Sequence, residues 1–291
     1  MIRTYKVVDV FTSRPLLGNP VAVILNADEL DTIAMQAISA WTNLSETTFV
    51  LPPTTADADY RVRIFTPRSE LPFAGHPTIG TAHALLEAGR IKPRLGVRLV
   101  QECEVGLVSL TVDKDDDGRR ITFALPGSKI DPLGEGDTAE LEAILGQKVS
   151  LLVPPAVVNV GPIWTIVRLE DASAVLNLRP DTARLADFER RLGITGVTVF
   201  GPHNSGDASI EVRTFAPSCG VEEDPVCGSG NASVAAFQWH RNLLPPKGKE
   251  YVAAQGRCIG RDGRIKVRVD EEGNVFVGGA CVTCIDGTLN Y

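Results

Sequence analysis

The chain has 291 residues, 44% of them hydrophobic and 22% charged, a balance that excludes a disordered, collagen-like or coiled-coil polypeptide and leaves room for two domains. A formal net charge of −7 argues against a broad basic footprint, so neither nucleic acid nor an acidic membrane surface is an expected partner. No uncharged apolar run approaches the ~18–20 residues needed to span a bilayer, and the start runs straight into an apolar alternation with no leader, so a soluble, cytoplasmic protein is expected.

In chain order, β-branched strands are predicted at 7–11 and 21–25, a helix at 28–41, and strands at 47–51 and 60–65. A loop, ELPFAGHP, leads into a helix at 78–86 that carries no formal charge before Glu87 and meets a stop at Gly89. Strands at 97–101, 107–112 and 121–125 follow, with Asp117-Gly118 at a hairpin turn. The same plan then recurs: a strand at 163–167, a helix at 181–192, strands at 197–200 and 210–215, the loop EDPVCGSG, and an uncharged helix at 231–240. Strands at 251–254, 265–269 and 275–277 complete it, with Gly273-Asn274 at the last turn.

The recurrence is also literal. Arg63-Ile64-Phe65-Thr66-Pro67 returns as Arg213-Thr214-Phe215-Ala216-Pro217 at an offset of 150, and ELPFAGHP meets EDPVCGSG at an offset of 153. The offsets drift from 143 to 155 along the chain, as loop insertions in a duplicated domain would produce. The expected fold is α+β: two pseudo-symmetric domains, each a curved, mostly antiparallel sheet wrapped round a buried helix, since a helix without a charged face belongs in a core. The boundaries are 1–127 and 128–280, with 281–291 a tail able to cross between domains. A cleft between two such domains is the usual place for a small-molecule site.

Both apolar helices begin at glycine loops, Ala74-Gly75-His76-Pro77 and Cys227-Gly228-Ser229-Gly230. First-turn N–H groups lack an intrahelical partner, and glycine lets a ligand approach the backbone, so the pair suits an anion, most simply a carboxylate. Pro77 suits the first helical position. Blander roles remain open: Ser229 as a helix cap, Asp224 as a turn acid, His76 as a capping residue and Glu46 as a loop or capping glutamate. The six cysteines read as thiols rather than a disulfide framework, and the lone CxxC of Cys281 and Cys284 as structural thiols. No histidine has zinc-site spacing, so no metal is expected, and His83 reads as a core histidine.

The strings DVFTSRPLLGNPVAV, NLSETTFV, RIFTPRSELPFAGHPTIGTA and GVEEDPVCGSGN resemble the phenazine-biosynthesis PhzF-like family of the diaminopimelate epimerase fold, over nearly the whole chain. The resemblance implies a homodimer, no cofactor, and isomerisation of a small cyclic amino/hydroxy carboxylate such as dihydro-hydroxyanthranilate. It implies that Glu46 is the acid/base, that His76, Asp224 and Ser229 hold and polarise the substrate, and that Gly75 and Gly228 offer N–H groups to its carboxylate. Epimerases of this fold use two cysteines, whereas Ala74 stands here at the first position and only Cys227 at the second, where the PhzF-like pattern would have Thr. Two-thiol racemisation is therefore excluded. An epimerase pairing Glu46 with Cys227, whose thiolate a helix N-terminus would favour, and a non-catalytic dimer that binds small acids are the alternatives.

Overall fold

The computed structural model describes residues 2–93, 98–115, 118–125, 127–149, 152–244 and 250–291. Val97 and Asp117, expected in a strand and a turn, lie outside the described residues. The chain divides into two units, Met1–Ala124 with Gly278–Tyr291, and Leu125–Val277.

In the first unit, strand β1 (Ile2–Val10) pairs antiparallel with β2 (Asn19–Ile24). Helix α1 (Thr32–Thr42) then crosses to β3 (Glu46–Leu51), parallel to β2. The helix starts four residues later than the apolar pattern suggests because Asp31 caps it, accepting from the Ala34 N–H at 2.8 Å. Asn43, at φ 54°, stops it. Strand β4 (Tyr60–Phe65) pairs antiparallel with β3 and with the short β5 (Glu70–Leu71). Helix α2 (Gly75–Glu87) follows, and the chain returns as β6 (Arg98–Cys103), parallel to β4, then β7 (Gly106–Asp115) and β8 (Gly118–Ala124).

The second unit opens with β9 (Lys129–Pro132), α3 (Glu135–Leu145) and β10 (Ala156–Asn159). It continues through β11 (Ile163–Arg168), α4 (Ala172–Asn177), α5 (Thr182–Leu192), β12 (Gly196–Pro202), β13 (Ile210–Ala216) and β14 (Val221–Asp224). Helix α6 (Gly228–His240), β15 (Glu250–Gln255) and β16 (Gly263–Val269) complete it. The pairing scheme of the first unit recurs step for step: β10–β11 antiparallel, β11–β12 parallel, β12–β13 and β13–β14 antiparallel, β13–β15 parallel and β15–β16 antiparallel. The registers agree as well. Thr47 faces Phe65 and Val197 faces Phe215, both at the offset of 150 read from the sequence, while Val21 faces Glu46 and Trp164 faces Gly196.

Strand β17 (Val275–Asn290) is far longer than the expected 275–277 and takes up nearly all of the 281–291 tail. It pairs with β8 and, from Cys281 to Asn290, with β1, so that β1, β2, β3, β4, β6, β7, β8 and β17 close into a barrel. The outer end of β17 is exposed and polar, which is why it shows no apolar alternation. Its partner β1 correspondingly starts at Ile2 rather than Val7.

Helix α2 packs against β1, β2, β3 and β8, and every residue from His76 to Leu85 is buried. It begins at Gly75, three residues before the expected start, and the Thr78 N–H closes its first turn onto Ala74 O at 3.3 Å. Pro77 is thus the third helical residue rather than the first, still within the turn whose N–H groups need no helical acceptor. Helix α6, likewise buried from Gly230 to Gln238, begins at Gly228 rather than Asn231 and packs against β10, β11, β12 and β16. Full burial of Ile79 or Leu85 stabilises by roughly 1.5–3 kcal/mol each. Separate apolar clusters secure the flanking helices: Met35 and Ile38 of α1 against Phe49 and Phe65, and Leu185 and Phe188 of α5 against Leu141, Val197 and Phe215. The residues from 125 to 162, which show no clear period in the sequence, supply β9, α3 and β10. No helix among the described residues is long and apolar enough to cross a membrane.

The seat of α2 rests on Gly80, where a Cβ would collide with Val21 Cγ1 and lie 3.0 Å from Val10 Cγ2. Replacing Gly80 by Val should lower stability by about 1–3 kcal/mol, read as a lower denaturant midpoint. An unchanged midpoint would contradict this packing.

Candidate active site

Glu46 is the first residue of β3, beside Val21 of β2, and the first turn of α2 brings His76 to it. Glu46 Oε2 lies 3.2 Å from His76 Nε2, with the two side chains 16% and 8% exposed. Burial pushes the Glu46 carboxyl up to about 7, and a hydrogen bond from Ser45 opposes that rise only in part. A carboxyl group with that affinity gives up and takes back a proton near neutrality, which an ordinary glutamate does not. The partner is chemically apt, because an imidazole can accept or donate on either nitrogen.

Gly75 adjoins the pair. A Cβ there would meet Phe123 Cζ at 2.8 Å, and Phe123 is held edge-on against Phe73 with centroids 5.6 Å apart. The helix is capped by Ala74, which makes no side-chain bond, so His76 is no cap. Below this turn a buried polar chain fixes α2. Tyr60 Oη donates to Gln101 Oε1 at 3.1 Å, Gln101 Nε2 to Thr78 Oγ1 at 2.9 Å, and Thr81 Oγ1 to Thr48 Oγ1 at 2.8 Å.

The equivalent helix start in the second unit carries Asp224, Cys227, Gly228 and Ser229. Cys227, not Ser229, caps α6: its sulfur accepts from the Gly230 N–H at 3.3 Å. Burial and the neighbouring Asp224 carboxylate raise its thiol well above the ordinary range, outweighing the contact with Ser229 and the hydrogen bond from the Gly230 N–H. The expectation that a helix N-terminus favours the thiolate is thereby corrected: burial and the Asp224 charge disfavour it. Asp224 Oδ1 accepts from the Val226 N–H at 3.1 Å, a turn contact. Gln255 ties the loop together, accepting at Oε1 from the Cys227 N–H at 3.1 Å and Asn231 Nδ2 at 2.8 Å, and donating to Asp224 O at 2.9 Å.

Glu46, His76 and Gly75 therefore form one group within the first unit, and Asp224, Cys227, Gly228 and Ser229 another within the second. His83, further along α2, lies apart from both. Burial lowers it to about 4, against the pull of Glu87 and aided by Arg119 and Lys6, so it is neutral at pH 7. All six cysteines are free thiols, with Cys219 and Cys258 exposed. No cluster of three or more His, Cys, Asp or Glu among the described residues is arranged to hold a metal ion.

Sequence reasoning passed over two supports. The repeated Arg and Glu form a two-pronged fork in each unit: Arg63 to Glu70, both bonds at 2.7 Å, and Arg213 to Glu223 at 3.0 and 2.7 Å. Each fork ties the strand before the loop to the strand entering it, and each guanidinium also lies over a phenylalanine, Phe65 or Phe215. Opposite charges recurring at both offsets were the available signal. The other support is Trp164, whose Nε1–H donates to Ser229 Oγ at 3.1 Å and whose ring adjoins Gly196, the counterpart of Glu46. The exchange of a carboxylate for glycine opposite a tryptophan was visible only once the register was known.

The sequence profile of the family described as phenazine biosynthesis-like protein matches residues 8–287, and the chain belongs to that family. The trans-2,3-dihydro-3-hydroxyanthranilate isomerase of Pseudomonas aeruginosa is 39% identical, over 92% of this chain and 91% of its own. A Schizosaccharomyces pombe protein named antisense-enhancing sequence 1 is 43% identical, over 98% of this chain and 97% of its own. The crystal structure of a PhzF-family phenazine biosynthesis protein from Bacillus anthracis superposes with a TM-score of 0.88 over 100% of both chains, at 23% identity, and shares the fold. With relatives named as isomerases over nearly its whole length, the chain is an isomerase of the PhzF type.

The buried carboxyl has a cost in stability. With its folded value near 7 and its ordinary value 4.5, the folded chain holds more protons than the unfolded one between those pH values, so stability falls as pH rises through that window. Glu46→Gln removes this dependence. Its stability relative to wild type should rise by on the order of 2–3 kcal/mol from pH 4.5 to pH 8, measured by urea unfolding at each pH. A pH-independent difference would mean an unperturbed carboxyl.

Proposed function

We propose that the protein is a cofactor-independent isomerase in which Glu46 is the acid/base that moves a proton between two carbons of a small cyclic amino/hydroxy carboxylate. The observation that carries this reading is the Glu46–His76 contact with its carboxyl raised to about 7. The Glu46 carboxylate removes a proton from an activated C–H, and the electron pair passes into the conjugated system. The carboxylic acid so formed returns the proton to another carbon, the double bond shifts, and atoms and charge balance. His76 holds Glu46 in register and shares its proton. Gly75 and Gly228 offer amides to the substrate carboxylate, Asp224 accepts from its amino group and Ser229 donates to an oxygen. The relative acting on trans-2,3-dihydro-3-hydroxyanthranilate makes that acid the first substrate to try, and a homodimer is part of the same reading.

The thiol at Cys227 supports a one-base mechanism over an epimerase. A second base on the opposite face must ionise readily, and this sulfur is buried, engaged as a cap and held as the thiol. Cys227→Ser, which keeps a capping acceptor, should retain activity within a few-fold, whereas an epimerase using this thiol would lose it.

Incubation of trans-2,3-dihydro-3-hydroxyanthranilate in heavy water tests the main reading. Deuterium should enter the product with double-bond migration, and Glu46→Gln should slow turnover at least ~10²-fold. Full activity of the Gln variant would remove Glu46 from the chemistry. Label with inversion but no migration would point to an epimerase, and binding without label to a scaffold.

A further inference from the structure

We infer that Trp164 is a positioning residue for this reaction: its indole N–H occupies an acceptor site of Ser229 Oγ and so commits the serine's own proton to an oxygen of the substrate. The inference rests on the reading above, in which Ser229 touches the substrate.

The geometry starts from the duplication. In the first unit Val21 stands beside Glu46; in the second, Trp164 stands beside Gly196 in the same register. A Cβ at Gly196 would lie 2.7 Å from Trp164 Cζ3 and would collide with Phe215 O, so the indole takes its place because no side chain rises from β12 there. Trp164 is 4% exposed and donates to Ser229 Oγ at 3.1 Å, across 65 residues of sequence. Ser229 itself matches His76 at the offset of 153. One unit thus carries a carboxyl–imidazole pair; in the other a glycine replaces the carboxylate, and the indole from the place of Val21 reaches the hydroxyl that replaces the imidazole.

The consequence is directional. An indole N–H can only donate, while a hydroxyl has one proton and two acceptor sites. With one acceptor site filled by Trp164, the Ser229 proton must point to a different atom. Cys227 Sγ, 3.6 Å away, is a weak acceptor and already receives the Gly230 N–H. A substrate carboxylate, or the oxygen that gains charge as Glu46 removes the proton, is a stronger one. Trp164 thereby takes one of the two acceptor sites of Ser229 and cannot itself receive the serine's proton, which is left for a substrate oxygen.

A double-mutant cycle tests this. Trp164→Phe keeps a ring against Gly196 and removes the N–H. It should lower kcat/KM for trans-2,3-dihydro-3-hydroxyanthranilate by about 3–10-fold, the scale of one neutral hydrogen bond. In a Ser229→Ala background the same change should cost nothing further. An equal loss in both backgrounds would reveal a packing role only, and no loss in either would also overturn the proposal. A second measurement needs neither turnover nor the Phe variant: the Trp164 indole N–H resonance of the ¹⁵N-labelled full chain should shift on Ser229→Ala, and a stationary resonance would refute the contact. Full turnover by Glu46→Gln would instead refute the catalytic reading, leaving the resonance to judge Trp164 alone.

Discussion

A carboxyl group removed from most of its water has few ways to remain stable, and Glu46 shows how the fold accommodates one. It sits at the first residue of a strand, where the backbone is still anchored by a parallel neighbour, and it faces an imidazole from the first turn of a buried helix. Burial disfavours its charge and raises its proton affinity towards neutrality, opposed only in part by a hydrogen bond from Ser45. The rest of the first unit serves this arrangement. The uncharged body of α2 can be buried on four strands, Gly80 lets it approach them, and the chain of Tyr60, Gln101 and Thr78 fixes its first turn.

The second unit repeats the scaffold and changes the chemistry. Its helix start is held by the same type of Arg–Glu fork and by a glutamine from the strand that follows the helix, as in the first. At the positions that matter the side chains have diverged: Glu46 becomes Gly196, Val21 becomes Trp164, His76 becomes Ser229 and Ala74 becomes Cys227. The result is a group of hydrogen-bonding side chains whose one thiol is pushed up by burial and by the neighbouring Asp224.

Much of this was legible in the residues. The repeat offsets located equivalent strands correctly because hydrophobic periodicity and the RxFxP and ExP strings are local features, and Tyr60–Phe65 agrees at both ends. Glu46 stood out as a carboxylate entering a β-branched strand. The parts that were not legible depend on contacts distant in sequence. The long β17 is recognisable only through its pairing with β1, some 280 residues away. The burial that keeps Cys227 protonated and the indole that meets Ser229 come from other elements, so no local pattern announces them. Helix starts were placed late at 78 and 231 for a related reason: glycine and proline read as loop, yet the first helical turn tolerates both.

The central claim is that a single carboxyl group, tuned by burial, moves the proton. Isotope-edited infrared spectroscopy, taken as the difference between wild type and Glu46→Gln across pH 4 to 9, follows that group directly. A protonated-carboxyl band that disappears with a midpoint near 7 is the expected result. A Glu46 already ionised throughout at pH 5 would contradict the account.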